Sequence, residues 1–379
     1  MITSVLRTMV LCGVLMASPV LAQEIDTPAK HAILYDVSTD TVLLEKDADM
    51  PMAPASMSKL MTVFMVFERL EAGHLSLEDT LPVSERAWRK GGSRMFVELG
   101  SRVTLDELLQ GIIVQSGNDA CIVVAEGLAG SEEAFAAEMT RRGRELGLTG
   151  STFKNATGWP DEGHLMTARD LATLAQAMIE RFPERYSRYY SQTSFTHNGI
   201  TQRNRNPLLY RDIGADGLKT GHTSISGYGL TASAVRDDRR LILVMNGLES
   251  PGQRAREAER LLEWGFRAFG AYQLFSAGET VEEADVWLGE QSMVPLVLED
   301  DLDLTLKRTA RDDMSVEIAY DTPVAAPILA GDRIGMLTVT VPGHESIERP
   351  LVAGESVPRL GPLGRVVGTF TSMVGRVFD

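Results

Sequence analysis

The chain has 379 residues, 44% of them apolar, and its 37 Lys and Arg face 52 Asp and Glu, a formal charge of −15. That length permits two domains with ordinary cores, and the acidic balance argues against a nucleic-acid partner, which needs clustered cations to meet phosphate. The 6 histidines pair at no metal-ligand spacing, so no metal and no cofactor is expected.

Residues 1–22 read as a secretory signal: Arg7, the apolar run Met9 to Met16, then Val20-Leu21-Ala22 before Gln23. The run is short for a spanning helix. Its removal takes Cys12 and leaves Cys121 alone, so no internal disulfide is expected even in an oxidising compartment. Cys121 reads as a small buried apolar residue.

From Ala32 to Leu44 the chain alternates around Ser38-Thr39-Asp40, which predicts a strand pair. Helical patterns then fill about 56–180. Pro54-Ala55 marks a helix start, and Leu60, Met61, Val63, Phe64 and Val66 its buried body. Ser56-Met57-Ser58-Lys59 stands at that start. A serine hydroxyl is a poor nucleophile until a base takes its proton. Ser56 and Lys59, three apart, share one helix face, and the helix N-terminus favours a developing oxyanion. Lys59 must be neutral to act as base, which burial and a second ammonium, Lys219, promote.

The helical stretch Leu105 to Ile113 precedes Ser116-Gly117-Asn118, and another stretch, Ala120 to Ala125, follows it. A small turn there can project Ser116 into a cleft as a proton relay and offer the Asn118 amide to a substrate carbonyl. Lys219-Thr220-Gly221 opens a strand, and Tyr228 to Ala234 and Arg240 to Met245 read as a hairpin beside it. An edge strand lets an extended peptide add by backbone pairing. Gly221 leaves room for close approach. The N–H groups of Ser56 and His222 are candidates for an oxyanion hole.

Each word alone is weak. Ser-x-x-Lys recurs as Ser151-Thr152-Phe153-Lys154. The ordered set is strong, and it matches the serine β-lactamase and penicillin-binding set. The chain resembles the low-molecular-mass penicillin-binding proteins, the D-alanyl-D-alanine carboxypeptidases, on Pro54 to Thr62, Ser116 to Ala120 and Asp216 to Thr223. Gly91 to Phe96, Thr167 to Leu171, Asn204-Arg205-Asn206 and Trp264-Gly265-Phe266 are similar to further family signatures. Met166 departs from the serine usual before Thr167. The resemblance implies that Arg205 helps hold a substrate carboxylate, with Arg256 resembling a second supporting arginine.

It further implies an α/β (α+β) catalytic domain, an antiparallel sheet flanked by helices, over residues 23–270. Short period-two runs separated by turns, such as Val286-Trp287-Leu288 and Leu337 to Val341, predict an antiparallel β domain over 271–358, and the resemblance implies that it is a small β-sandwich. In 359–379, Leu363, Val366, Val367, Phe370, Met373, Val374, Val377 and Phe378 fall at helical spacing, which reads as an amphipathic membrane-surface anchor.

The implied reaction removes the terminal D-alanine from peptidoglycan pentapeptide stems through an acyl-enzyme on Ser56, with β-lactams acylating the same serine. The implied location is the periplasm, on the outer face of the inner membrane. A β-lactamase on the same fold is the rival enzyme, but no Glu-x-x-Leu-Asn word precedes the third motif. A non-enzymatic cell-wall-binding protein is the other alternative, and the motifs carry no degeneration that favours it.

Overall fold

The computed structural model describes residues 25–342 and 345–362. The signal reading at 1–22 and most of the anchor reading at 359–379 lie outside them. The first strands are β1 (His31–Asp36) and β2 (Thr41–Lys46), joined where Ser38-Thr39-Asp40 predicts the turn. A 3-10 turn, Ala55–Ser58, leads into α1 (Lys59–Glu71). There follow β3 (Thr80–Pro82), α2 (Glu85–Arg89), β4 (Arg102–Thr104), α3 (Leu105–Ile113), α4 (Asn118–Ala129) and α5 (Glu132–Glu145). After a long irregular segment come α6 (Ala168–Arg181), α7 (Pro183–Tyr190) and the hairpin β5 (Ser194–His197) and β6 (Ile200–Arg203). β7 (Ala215–Thr223), β8 (Gly227–Arg236), β9 (Arg239–Leu248) and α8 (Pro251–Ala268) close the first domain.

Five strands form one antiparallel sheet in the order β2-β1-β9-β8-β7. Strand β9 is buried on both faces, so its sequence is a continuous apolar run. Ile242 and Val244 point to a core shared with the helices around α1. Leu241, Leu243 and Met245 point the other way, against Ala258, Leu261 and Leu262 of α8. Helix α1 is buried from Lys59 to Phe67 and is apolar nearly all round, as a central helix must be. Its Thr62 hydroxyl donates to the Ala156 carbonyl at 2.8 Å, which satisfies a polar group buried in that core.

The helical reading of 56–180 needs correction. Residues 147–167 are irregular, held by isolated bridges from Thr152 to Leu165 and from Met52 to Met166. Gly147, Gly150, Gly158, Pro160 and Gly163 break helical continuity there. Met166, where the family motif departs, is fully buried on that bridge.

The second domain is β-rich. β10 (Phe269–Phe275) pairs with β13 (Leu302–Lys307). β11 (Thr280–Trp287), β12 (Met293–Val297), β14 (Ser315–Tyr320), β15 (Val324–Ala325), β16 (Arg333–Thr340) and β17 (Ile347–Ala353) form a sheet in the order β14-β16-β17-β12-β11-β15. Its pairs are antiparallel except β11 with β15. Leu296, Leu304, Leu337, Val339 and Leu351 share its core. At the junction with the first domain, the fully buried Asp36 carboxylate accepts from Arg239 Nε at 2.6 Å and from Thr305 Oγ1 at 2.7 Å.

Candidate active site

The turn before α1 presents Ser56, and α1 itself begins at Lys59, one turn later than the sequence pattern suggests. Two glycines let other backbones close on this turn. Gly158 has φ +75°, and a Cβ there would lie 1.8 Å from the Ala55 carbonyl oxygen. A Cβ on Gly221 of β7 would lie 2.8 Å from the Pro54 carbonyl oxygen. The irregular 155–158 loop and β7 therefore pack directly against the nucleophile turn.

Lys59 is fully buried beneath Ser56. Its Nζ lies 2.8 Å from Ser56 Oγ, 2.8 Å from Asn118 Oδ1 and 2.5 Å from the Thr157 carbonyl oxygen. A protonated Nζ donates to all three. A neutral Nζ has two protons for the two carbonyl oxygens, which leaves its lone pair for the Ser56 hydroxyl. Burial pulls this lysine down to about 8, and the charges of Arg205 and Lys90 push the same way. Lys219 is held well below the usual lysine range by burial, then by repulsion from Lys59 and Arg205. The charges that push Lys59 down are thus those of Arg205 and Lys90, and not the ammonium of Lys219 that the sequence suggests.

Asn118 sits at the start of α4 and is tied at both ends: Oδ1 to Lys59, and Nδ2 donating to the Gly91 carbonyl at 2.9 Å. One amide proton remains for a substrate carbonyl. Ser116 has φ +65°, and its buried hydroxyl has no partner among the described residues. An unpaired buried hydroxyl is costly and marks a functional group. Asp119, beside Asn118, accepts from the N–H groups of Met95, Phe96 and Val97 and so fixes the loop that carries Gly91 to Ser93.

Strand β7 is the last of the sheet, and Lys219 and Thr220 on it are buried. Among the described residues, Lys219 Nζ donates only to the Thr220 carbonyl, at 3.1 Å. The His222 ring is exposed and stacks on Tyr228 at 3.9 Å, away from any acid–base pairing. Arg205 donates to Ser93 Oγ at 2.6 Å. Its flanking asparagines are buried, and Asn206 Nδ2 reaches the Gly217 carbonyl at 2.7 Å, tying this loop to β7.

Two features escaped the sequence reading or ran against it. Arg256 is exposed on α8, whereas Arg254 is 8% exposed, with its Nε lacking a partner among the described residues. Its charge bears on Lys219, and Arg205 bears on it. Arg254, and not Arg256, is therefore the buried arginine whose charge is felt at Lys219. The Thr157 carbonyl is the second missed group. It is placed by Asn155, whose Oδ1 accepts from the N–H groups of Thr157, Gly158 and Trp159. Asn-x-x-Gly turn chemistry is the signal that could have found it. The repeated Ser-x-x-Lys word stands apart from these, as its little weight in the sequence suggests: Ser151 Oγ donates to Asp170 Oδ2 at 2.6 Å and serves the loop.

No group of metal-ligating side chains occurs among the described residues. The cleft combines a serine on a buried amine, an unpaired hydroxyl and a cluster of cations at an edge strand. That set suits acyl transfer from an extended peptide with a free carboxylate.

Comparison with known proteins agrees. Residues 18–249 match the family model described as D-alanyl-D-alanine carboxypeptidase, and 269–359 match that of the penicillin-binding protein 5 C-terminal domain. The chain is 37% identical over 355 residues to D-alanyl-D-alanine carboxypeptidase DacC of Escherichia coli, covering 91% of this chain and 88% of that one. Penicillin-binding protein 5 from Haemophilus influenzae superposes with a TM-score of 0.77 at 32% identity, covering 88% of this chain and 99% of that one. Penicillin-binding protein D2 from Listeria monocytogenes, in its ampicillin-bound form, gives 0.59 at 30% identity, over 64% and 98%.

Proposed function

The chain belongs to the D-alanyl-D-alanine carboxypeptidase family and is a serine-type enzyme of that activity, and we propose that Ser56 carries the acyl group. Peptidoglycan is its substrate class, and β-lactams bind it. The observation that carries the assignment is the contact between Lys59 Nζ and Ser56 Oγ, with both other Lys59 partners being carbonyl oxygens.

The stem peptide adds along the free edge of β7, and its terminal carboxylate meets Lys219, Thr220, Arg205 and Arg254. Neutral Lys59 takes the Ser56 proton as Oγ attacks the carbonyl between the two D-alanines. The N–H groups of Ser56 and His222 receive the oxyanion. Ser116 relays that proton from Lys59 to the leaving amine, which returns Lys59 to its neutral form. D-Alanine departs, and water, deprotonated by the same base, attacks the ester and frees Ser56.

Residues 23–270 act as the catalytic unit and 271–358 as a spacer. Residues 1–22 direct export to the periplasm, and 359–379 hold the enzyme on the outer face of the inner membrane. Among the described residues no helix is long and apolar enough to cross a membrane. The amphipathic pattern instead fits a helix lying on the surface. Mapping a penicillin adduct by tryptic mass spectrometry tests the nucleophile: it is expected on the Ser56 peptide, and an adduct on Ser58, Ser116 or Ser151 overturns the assignment.

A further inference from the structure

The central sheet has two outer strands, β7 and β2, and the reaction uses only β7. β1 is the one strand beside β2, and no backbone hydrogen bond of residues 42–45 reaches beyond β1 among the described residues. One row of N–H and C=O groups on β2 is therefore open to pairing.

That edge lies in an open cavity of about 990 Å³, lined by every residue from Val42 to Lys46. Five residues of strand span about 16 Å. The end of α8 supplies Trp264 and Arg267 to the wall, and the end of β13 supplies Lys307 and Arg308. Trp264 belongs to the Trp264-Gly265-Phe266 word, which the reaction leaves unused. Gly265 explains its place: a Cβ there would lie 2.8 Å from the Leu241 side chain and 3.5 Å from that of Leu43. Helix α8 thus closes tightly on the sheet at its β2 side. Trp264 stands half-buried there, its ring edge-on to Phe269 at 5.0 Å, and Val42 on the edge strand is 38% exposed.

Charge is the second observation. In a chain of formal charge −15, this wall carries four cations, Lys46, Arg267, Lys307 and Arg308, against two carboxylates, Asp26 and Glu45. Both carboxylates are taken: Asp26 by Lys46 at 3.3 Å, Glu45 by Arg169 at 2.7 Å. Glu263, one turn before Arg267 on α8, is taken by Arg236. Arg267 and Arg308 are exposed, and each donates through Nε to a backbone carbonyl, of Glu263 and of Arg267 respectively. With Lys307 they are left without an ion-pair partner among the described residues.

The Arg308 bond to the Arg267 carbonyl puts the end of β13 at the end of α8, so the three cations and Trp264 share one side of the edge. Side chains alternate along a strand, so a segment paired with β2 would turn every second residue toward that side. We propose that the β2 edge is a docking site for an extended segment of a partner protein, which adds a sixth strand to the sheet and sets carboxylates at alternate positions against Arg267, Lys307 and Arg308. The chain's own terminal segment has the wrong charge for this site, with Arg365 and Arg376 against Asp379.

The test uses mature enzyme already acylated with penicillin, which fills the catalytic cleft. The probe is the fluorescein-labelled peptide Glu-Thr-Glu-Val-Glu-Thr-Glu, read by anisotropy. Its controls are the same peptide with lysine in place of glutamate, and the same peptide N-methylated at its two central peptide bonds. Saturable binding of the glutamate peptide is expected, with both controls about tenfold weaker or more. Hydrogen exchange should slow at the backbone amides of residues 41–46 when the peptide binds, and stay unchanged along β7. Arg267→Glu with Arg308→Glu should weaken binding about tenfold and leave the penicillin acylation rate unchanged. No saturable binding, protection elsewhere than β2, or equal binding of the lysine peptide overturns the proposal. Equal binding of the N-methylated peptide reduces the site to an anion patch and overturns strand addition. Protection of β2 that rises with enzyme concentration in the absence of peptide would mean that a second copy covers the edge, and overturns it too.

Discussion

Lys59 Nζ lies 2.8 Å from Ser56 Oγ, and its two remaining partners, Asn118 Oδ1 and the Thr157 carbonyl oxygen, can only accept. The geometry holds the amine in one orientation whether it is charged or neutral. Only in the neutral form does the lone pair face the serine.

The pH dependence follows. Burial places Lys59 at about 8. The reactive form is the deprotonated one, so acylation by a β-lactam should rise about tenfold per pH unit below that value and level above it. Stopped-flow measurement between about pH 6 and 9 checks this. Lys59→Ala should lower the acylation rate by about 10²- to 10⁴-fold and remove the acid limb. A flat profile, or undiminished acylation in the variant, removes Lys59 as the base.

Arg254 and Arg256 make a discriminating pair. Arg254 is buried, its Nε without a partner among the described residues, and Arg256 is exposed. Arg254→Ala should lower kcat/KM by about 10- to 100-fold for peptides with a free terminal carboxylate, and far less for the same peptides amidated. Arg256→Ala should leave both unchanged. The reverse ranking would return the role to Arg256.

Gly158→Ala should be severe. The new Cβ would meet the Ala55 carbonyl oxygen at 1.8 Å, and φ is +75°. Gly163→Ala is the control: φ is +81°, yet the nearest atom is the flexible end of Lys154 at 3.2 Å. Both carry backbone strain of about 1–3 kcal/mol. Only Gly158→Ala should also displace the nucleophile turn, so thermal melting should fall in both and penicillin acylation only in the first.

The tail can be tested apart from the chemistry. Its pattern presents eight apolar side chains on one face, Leu363 to Phe378. Burying each in a membrane surface contributes about 1–2 kcal/mol when exposure is partial. Deleting 360–379 should move the enzyme from the membrane to the soluble fraction with small-peptide activity retained. Full-length mature protein found soluble, or a truncation that unfolds, would mean the segment docks on its own domain.

The catalytic words were legible because each side chain's chemistry depends on its residue type: an activatable hydroxyl, an amine, an amide. The sheet was legible too, since Arg240 to Met245 is apolar on both faces and β9 is buried on both. The Thr157 carbonyl was not, because a backbone acceptor leaves no mark on residue type. Arg254 was hidden by motif matching, although periodicity contained it. With Ala258, Leu261 and Leu262 it falls at i, i+4, i+7 and i+8 on the buried stripe of α8, and Arg256 does not. The 147–167 loop was misread because its apolar residues mimic helical spacing between glycines.

The junction at Asp36 bears on how the two domains depend on each other. Its charge is met within the first domain, by Arg239 Nε and by the Ser38 N–H at 3.0 Å. From across the boundary, Thr305 brings one neutral hydroxyl and no charge. Severing the domains would cost this site the Thr305 bonds to Asp36 and Thr39 and the Arg239 bond to the Phe269 carbonyl, each worth about 1 kcal/mol, and would strand no ion. The ion pair at Asp36 is thus closed within the catalytic unit, and what the β-rich unit adds to it there is neutral.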